Sequence, residues 1–155
     1  MKVFISYGDA GDQVMALRLQ ALGAVNGLTV YVPPAFTRQG IPAPLDPDTG
    51  RKLNEAEFVL GVVGAGLTAA CRQELRASVD FKKNMLVMTY PASAPEPQRI
   101  FGQNLFVIDP ANPGAAEVGI VQYLKTIDAQ SARTTLVALG ALAFGLLILA
   151  HADQH

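Results

Sequence analysis

Cysteine, histidine and charge are all scarce in this sequence. The one cysteine, Cys71, has no partner within the chain, which excludes an internal disulfide and suits a reducing compartment. The two histidines, His151 and His155, both stand at the extreme C-terminus, so none is left in the rest of the chain to activate a nucleophile. Their i, i+4 spacing is compatible with a metal, but a frayed tail is the simpler reading. Charged residues make up 16% of the 155 and the formal net charge is −1. With no basic run, the footprint of a nucleic-acid binder is missing. Hydrophobic residues reach 50%, which excludes a disordered composition. The opening residues, Met1 to Tyr7, enter strand-like sequence at once and carry no signal-peptide pattern, so the folded part is expected in the cytosol. No internal repeat is visible.

What is present alternates. Val3 to Tyr7 reads as a buried strand, Gly8 to Gly11 as a turn, and Gln13 to Val25 as a helix that Asp9 or Asp12 can cap. Asn26-Gly27 stops the helix before a second strand, Leu28 to Val32. A strand, a helix and a strand at this spacing imply a right-handed crossover and a parallel pair. Pro33 to Gly50 holds five prolines and two glycines and is expected to be a long functional loop, with Asp46-Pro47-Asp48-Thr49-Gly50 as turn chemistry. Phe58 to Val63 is a strand buried on both faces, and Thr68 caps a helix from Ala69 to about Val79. Met85 to Tyr90 is a fourth strand, followed by a proline-bearing loop over Pro91 to Pro97. Leu105 to Ile108 is a fifth strand, and Ala115 to Ile127 a last domain helix. The fold class is therefore α/β, a flavodoxin-like doubly wound, mostly parallel five-stranded sheet over residues 1–130.

Residues 131–155 are expected to form a separate tail. Thr134 to Ala150 carries no charge, and its 17 residues would span about 25 Å as a helix, close to the ~30 Å hydrocarbon core of a bilayer. Lys125 and Arg133 precede the segment, which places the domain on the cytoplasmic side. Residues 134–150 are thus expected to anchor the chain as a transmembrane helix, with the membrane as a partner.

Ligands of open α/β sheets sit beyond the carboxyl ends of the strands. That edge gathers Ser6, Tyr7 and Gly8, the Pro33–Gly50 loop, Gly64-Ala65-Gly66 and Tyr90. Gly64 to Ala69 also matches G-x-G-x-x-A, but the following strand ends Met88-Thr89-Tyr90, without the acid a dinucleotide fold requires. Within the third helix Leu67, Cys71, Leu75 and Val79 form an apolar stripe, and Glu74 lies beside it.

Phe4-Ile5-Ser6-Tyr7, Ala56-Glu57-Phe58-Val59-Leu60 and Cys71-Arg72-Gln73-Glu74-Leu75 together resemble, in order and spacing, the motifs of Toll/interleukin-1 receptor (TIR) domains over residues 1 to 128. The resemblance implies cleavage of the nicotinamide–ribose bond of NAD, with Glu74 catalytic, in a bacterial antiviral-defence setting. Departing nicotinamide leaves positive charge on the ribose, and a shielded carboxylate stabilises it. Ser6, Tyr7, Gly8, Phe36, Arg38 and Cys71 are the candidate substrate contacts: Phe36 and Tyr7 by stacking, with core filling an equal role for Tyr7, and Arg38 on a phosphate or an acidic partner. NAD is expected as substrate rather than resident cofactor, no metal is expected, and self-association through TIR domains is implied. The chain departs from the family in having Gly8-Asp9 where a basic residue is common, no tryptophan before Cys71, and no R-D-x-x-P-G in the long loop. The alternatives are a non-catalytic TIR adaptor that recruits partners through the long loop, or a module that senses a nucleotide made elsewhere.

Overall fold

The computed structural model describes residues 1–38 and 45–129. Five strands, β1 (Lys2–Tyr7), β2 (Thr29–Tyr31), β3 (Phe58–Val62), β4 (Asn84–Thr89) and β5 (Leu105–Val107), form one sheet in the order β2-β1-β3-β4-β5. Every pairing is parallel, with Val3 opposite both Val30 and Phe58, and Leu60 opposite Leu86. This is the flavodoxin-like doubly wound order, with its switch point between β1 and β3.

The period of two in β1 and β3 divides the core. Val3, Ile5, Tyr7, Phe58, Leu60 and Val62 face helices α1 (Ala10–Val25) and α5 (Pro113–Ala129). Phe4 and Val59 face the other layer, where Leu53 of α2 (Pro47–Glu55) and Cys71 and Leu75 of α3 (Ala69–Asp80) meet them. Gly61 lies on that second face, and a Cβ there would stand 3.3 Å from both Leu75 and Val87. Its bare backbone therefore lets α3 seat closely on the sheet, directly over Ser6 and the end of β1.

Two stretches read as loops are helical in part. Asp46 caps α2 and Pro47 occupies its first turn, where a proline's missing N–H costs nothing. Pro95 opens α4 (Pro95–Phe101) in the same way. A short 3-10 turn, Ala35–Arg38, follows β2.

The membrane expectation is corrected. Among the described residues no helix is long and apolar enough to cross a membrane. The longest, α5, carries Glu117, Lys125 and Asp128 and spends its apolar face, including Ile120 and Leu124, on the core. The segment 134–150, on which the transmembrane helix, the membrane partner and the membrane-anchored location all rested, lies outside the described residues. Nothing among the described residues supports an anchored chain.

Candidate functional site

Ser6 is the penultimate residue of β1 and points to the α3 side of the sheet. Thr68 caps α3 by accepting from the Cys71 amide, which sets the helix so that Cys71 and Glu74 both look down on Ser6. The Ser6 hydroxyl donates to Glu74 Oε1 at 2.7 Å and lies 3.2 Å from Cys71 Sγ. Glu74 is only 2% exposed. A carboxylate taken that far from water needs a counter-charge, and Arg38 supplies it. Arg38 Nη1 donates to Oε2 and Nη2 to Oε1, both at 2.7 Å, in a two-pronged pair. The arginine side chain is itself 8% exposed, with its guanidinium carbon 4.1 Å from the centre of the Tyr7 ring. Tyr7 in turn donates its hydroxyl to the Pro33 carbonyl at 2.7 Å, tying the chain after β2 to the end of β1. The cluster is therefore layered: Ser6 and Cys71 at the floor, Glu74 above them, Arg38 as a cover.

Burial pushes the Glu74 carboxyl above the ordinary carboxylate range, with Arg38 and then Ser6 pulling it back. Burial also pushes the Cys71 thiol up to about 12, against the Ser6 hydrogen bond, which leaves it a protonated core residue rather than a nucleophile. Burial raises Tyr7 as well, opposed by Arg38. Among the described residues one buried polar side-chain atom remains unmatched. Arg38 Nε is buried and has no hydrogen-bond partner.

The structure thus brings Ser6, Tyr7, Arg38, Cys71 and Glu74 together. Gly8 lies one step away, where a Cβ would stand 2.7 Å from Asp12 Oδ2 and 3.2 Å from the Gly66 carbonyl. Phe36 is apart from the cluster and 66% exposed.

Asp12 has a larger part than helix capping. It exchanges backbone-to-carboxylate bonds with Asp9, in the reciprocal form of a capping box, and its Oδ1 also accepts from the Gly64 amide at 2.9 Å. One buried carboxylate therefore joins the turns after β1 and β3, and burial followed by the nearby Asp9 charge raises its pKa. The expected cap by Asp9 or Asp12 is present; the link to Gly64 is a tertiary contact with no local signature. Beside it a cavity of about 380 Å³ opens at the switch point, bounded by Asp9, Asp12, Met15, Gly64 and Tyr90. Among the described residues no group of three or more His, Cys, Asp or Glu side chains is placed to hold a metal.

No protein-family model matches the chain, and no curated protein aligns with it significantly. Among solved structures it is similar to the TIR domains of the activated Roq1 resistosome, a structure described as directly recognizing the pathogen effector XopQ. Identity is 13% and the TM-score 0.44, with 94% of this chain and 82% of the other covered. The membership that the motifs implied is thereby corrected to a weak likeness to a TIR-fold domain.

Proposed function

We propose that this chain is a TIR-like adaptor module that acts by association and not by turnover. The observation that carries the reading is the state of Glu74. Both its oxygens are taken, by Ser6 and by the two prongs of Arg38, and its side chain is closed to water. A carboxylate that stabilises charge on a ribose must reach that ribose. Here the guanidinium covers both carboxylate oxygens that a ribose would have to reach. Glu74 is then a structural group that pins the 3-10 turn Ala35–Arg38, and with it the start of the long loop, to α3. Fixing a loop at the carboxyl edge of the sheet is what a partner-binding surface requires. The test is incubation of the full chain with NAD at concentrations where it self-associates. No nicotinamide release is expected from the parent, from Arg38→Ala or from Glu74→Gln, while association persists in the parent. Release by the parent or by Arg38→Ala that Glu74→Gln abolishes would overturn the adaptor reading.

NAD cleavage is the second reading, and one observation favours it. Arg38 Nε is buried without a partner, so the cover is held short of its full complement of hydrogen bonds, at a penalty of about 1–3 kcal/mol for an unmatched buried donor. A ligand or a neighbouring copy that offers an acceptor would draw Arg38 away and free Glu74 to face a ribose. On this reading Arg38→Ala raises nicotinamide release and Glu74→Gln removes it.

A further inference from the structure

Helix α1 has two apolar faces. Met15, Ala16 and Leu19 are buried against the sheet. The opposite face is open to solvent, and on it Ala10, Val14, Leu17, Ala21 and Ala24 recur at steps of four, three, four and three. That is the 3.5-residue repeat of a helix–helix seam. Val14 is 55% exposed and Leu17 47%, while Val25 beside the end of the stripe is 85% exposed. From Gln13 to Val25 the only charged residue is Arg18. Seating α1 on its own sheet requires the first face alone. A second apolar stripe on a surface helix needs a separate partner, because a helix apolar all round is normally enclosed.

We propose that this stripe docks a second copy of the chain, the two α1 helices packing antiparallel about a two-fold axis at Leu17. The surface deepens, and rests on, the reading of the chain as an association module. Two features select a second copy over another occupant. The first is the spacing, which is nearly symmetric about Leu17, with neighbours at three and seven residues before it and four and seven after. Antiparallel docking therefore sets Leu17 on its own equivalent, Val14 against Ala21, and Ala10 against Ala24. Large faces small in the middle of each half, as interdigitated helices require. The second feature is charge. Arg18 stands beside the axis, where it would meet its own equivalent, but it is paired with Glu117 of α5 in the same chain. Two such faces meet neutral, without the like-charge repulsion that would oppose an isologous contact.

The experiment uses the full chain. Leu17→Cys, with the buried Cys71 as the only other thiol, should give a disulfide-linked dimer on mild oxidation, whereas Asp80→Cys at the exposed end of α3 should not. In sedimentation the parent should dimerise, and Leu17→Glu should weaken the dimer at least about tenfold while circular dichroism stays unchanged. A folded Leu17→Glu protein that dimerises like the parent would overturn this surface and leave the association reading standing. A parent that is monomeric at every concentration would overturn both. A monomeric Leu17→Cys protein whose introduced thiol resists labelling would show the face covered from within the chain, and would also overturn the proposal.

Discussion

Glu74 and Arg38 set the energetics of the cluster, and the direction of the Glu74 shift makes them testable. Burial raises its pKa from 4.5 despite Arg38 and Ser6. The folded state then holds this proton more tightly than the unfolded chain. The linked stabilisation is complete below the unfolded value and is lost as pH rises through the folded one. Arg38 is the main counterweight, so removing it enlarges the shift. Arg38→Ala should therefore lose stability with rising pH more steeply than the parent, and by about 3 kcal/mol at neutral pH, the low end for a broken buried pair because water enters the vacated place. Urea unfolding at a series of pH values measures this; parallel curves for the two proteins would refute it. Gly64 gives a second test at the same scale. A Cβ there would stand 2.6 Å from Asp12 Oδ1 and 2.9 Å from the Tyr90 ring, so the turn has no room for a side chain. Gly64→Ala should cost about 1–3 kcal/mol, read as a lowered urea midpoint. An unchanged midpoint would mean that the Asp12 link is slack.

At the level of elements, helix α2 isolates what a single cap contributes. The Asp46 carboxylate accepts from both the amide and the hydroxyl of Thr49, whose side chain is buried. Asp46→Ala removes the cap and strands that hydroxyl, and should lower stability by about 1–2 kcal/mol. Asp46→Asn, which keeps an acceptor, should recover most of the loss; equal losses in the two variants would count against the cap. The same helix shows what sequence reading could and could not reach. Strands β1, β3 and β4 are legible because their apolar runs are continuous and bounded by turn residues. Helix α3 is legible from Thr68 and the Cys71–Leu75 stripe. Helices α2 and α4 are short and begin with proline, and a proline at the first helical position looks, letter by letter, like a breaker. The site divides along the same line. Ser6, Cys71 and Glu74 sit on regular elements whose order dictates their meeting. Arg38 reaches Glu74 only through a one-turn 3-10 segment after β2, and no periodicity announces that. Arg38 is expected on a phosphate or an acidic partner, and the acid it meets is Glu74 of its own chain.

For the whole molecule, the sheet's geometry constrains how copies can meet. The edge strands, β2 and β5, are three residues each, and short edges offer little backbone for strand-to-strand pairing. Both faces of the sheet are already covered by helices. Apart from the loop edge that Arg38 and Glu74 hold, helix surface is open to association among the described residues, and α1 presents a neutral apolar stretch of it. The formal net charge of −1 gives two copies little long-range repulsion or steering. Ionic strength therefore separates the kinds of contact the whole molecule could use. An interface of apolar side chains around an internally paired Arg18 loses nothing to screening, and salt strengthens apolar burial modestly. The dimer of the full chain should hold its affinity, or tighten, between about 0.05 and 0.5 M sodium chloride, over which the Debye length shrinks several-fold. Sedimentation equilibrium at the two salt levels decides it. A dissociation constant that rises tenfold would place the contact on charged groups, such as those flanking the 3-10 turn and α2, and would move the association surface from α1 to the edge where Arg38 and Glu74 lie.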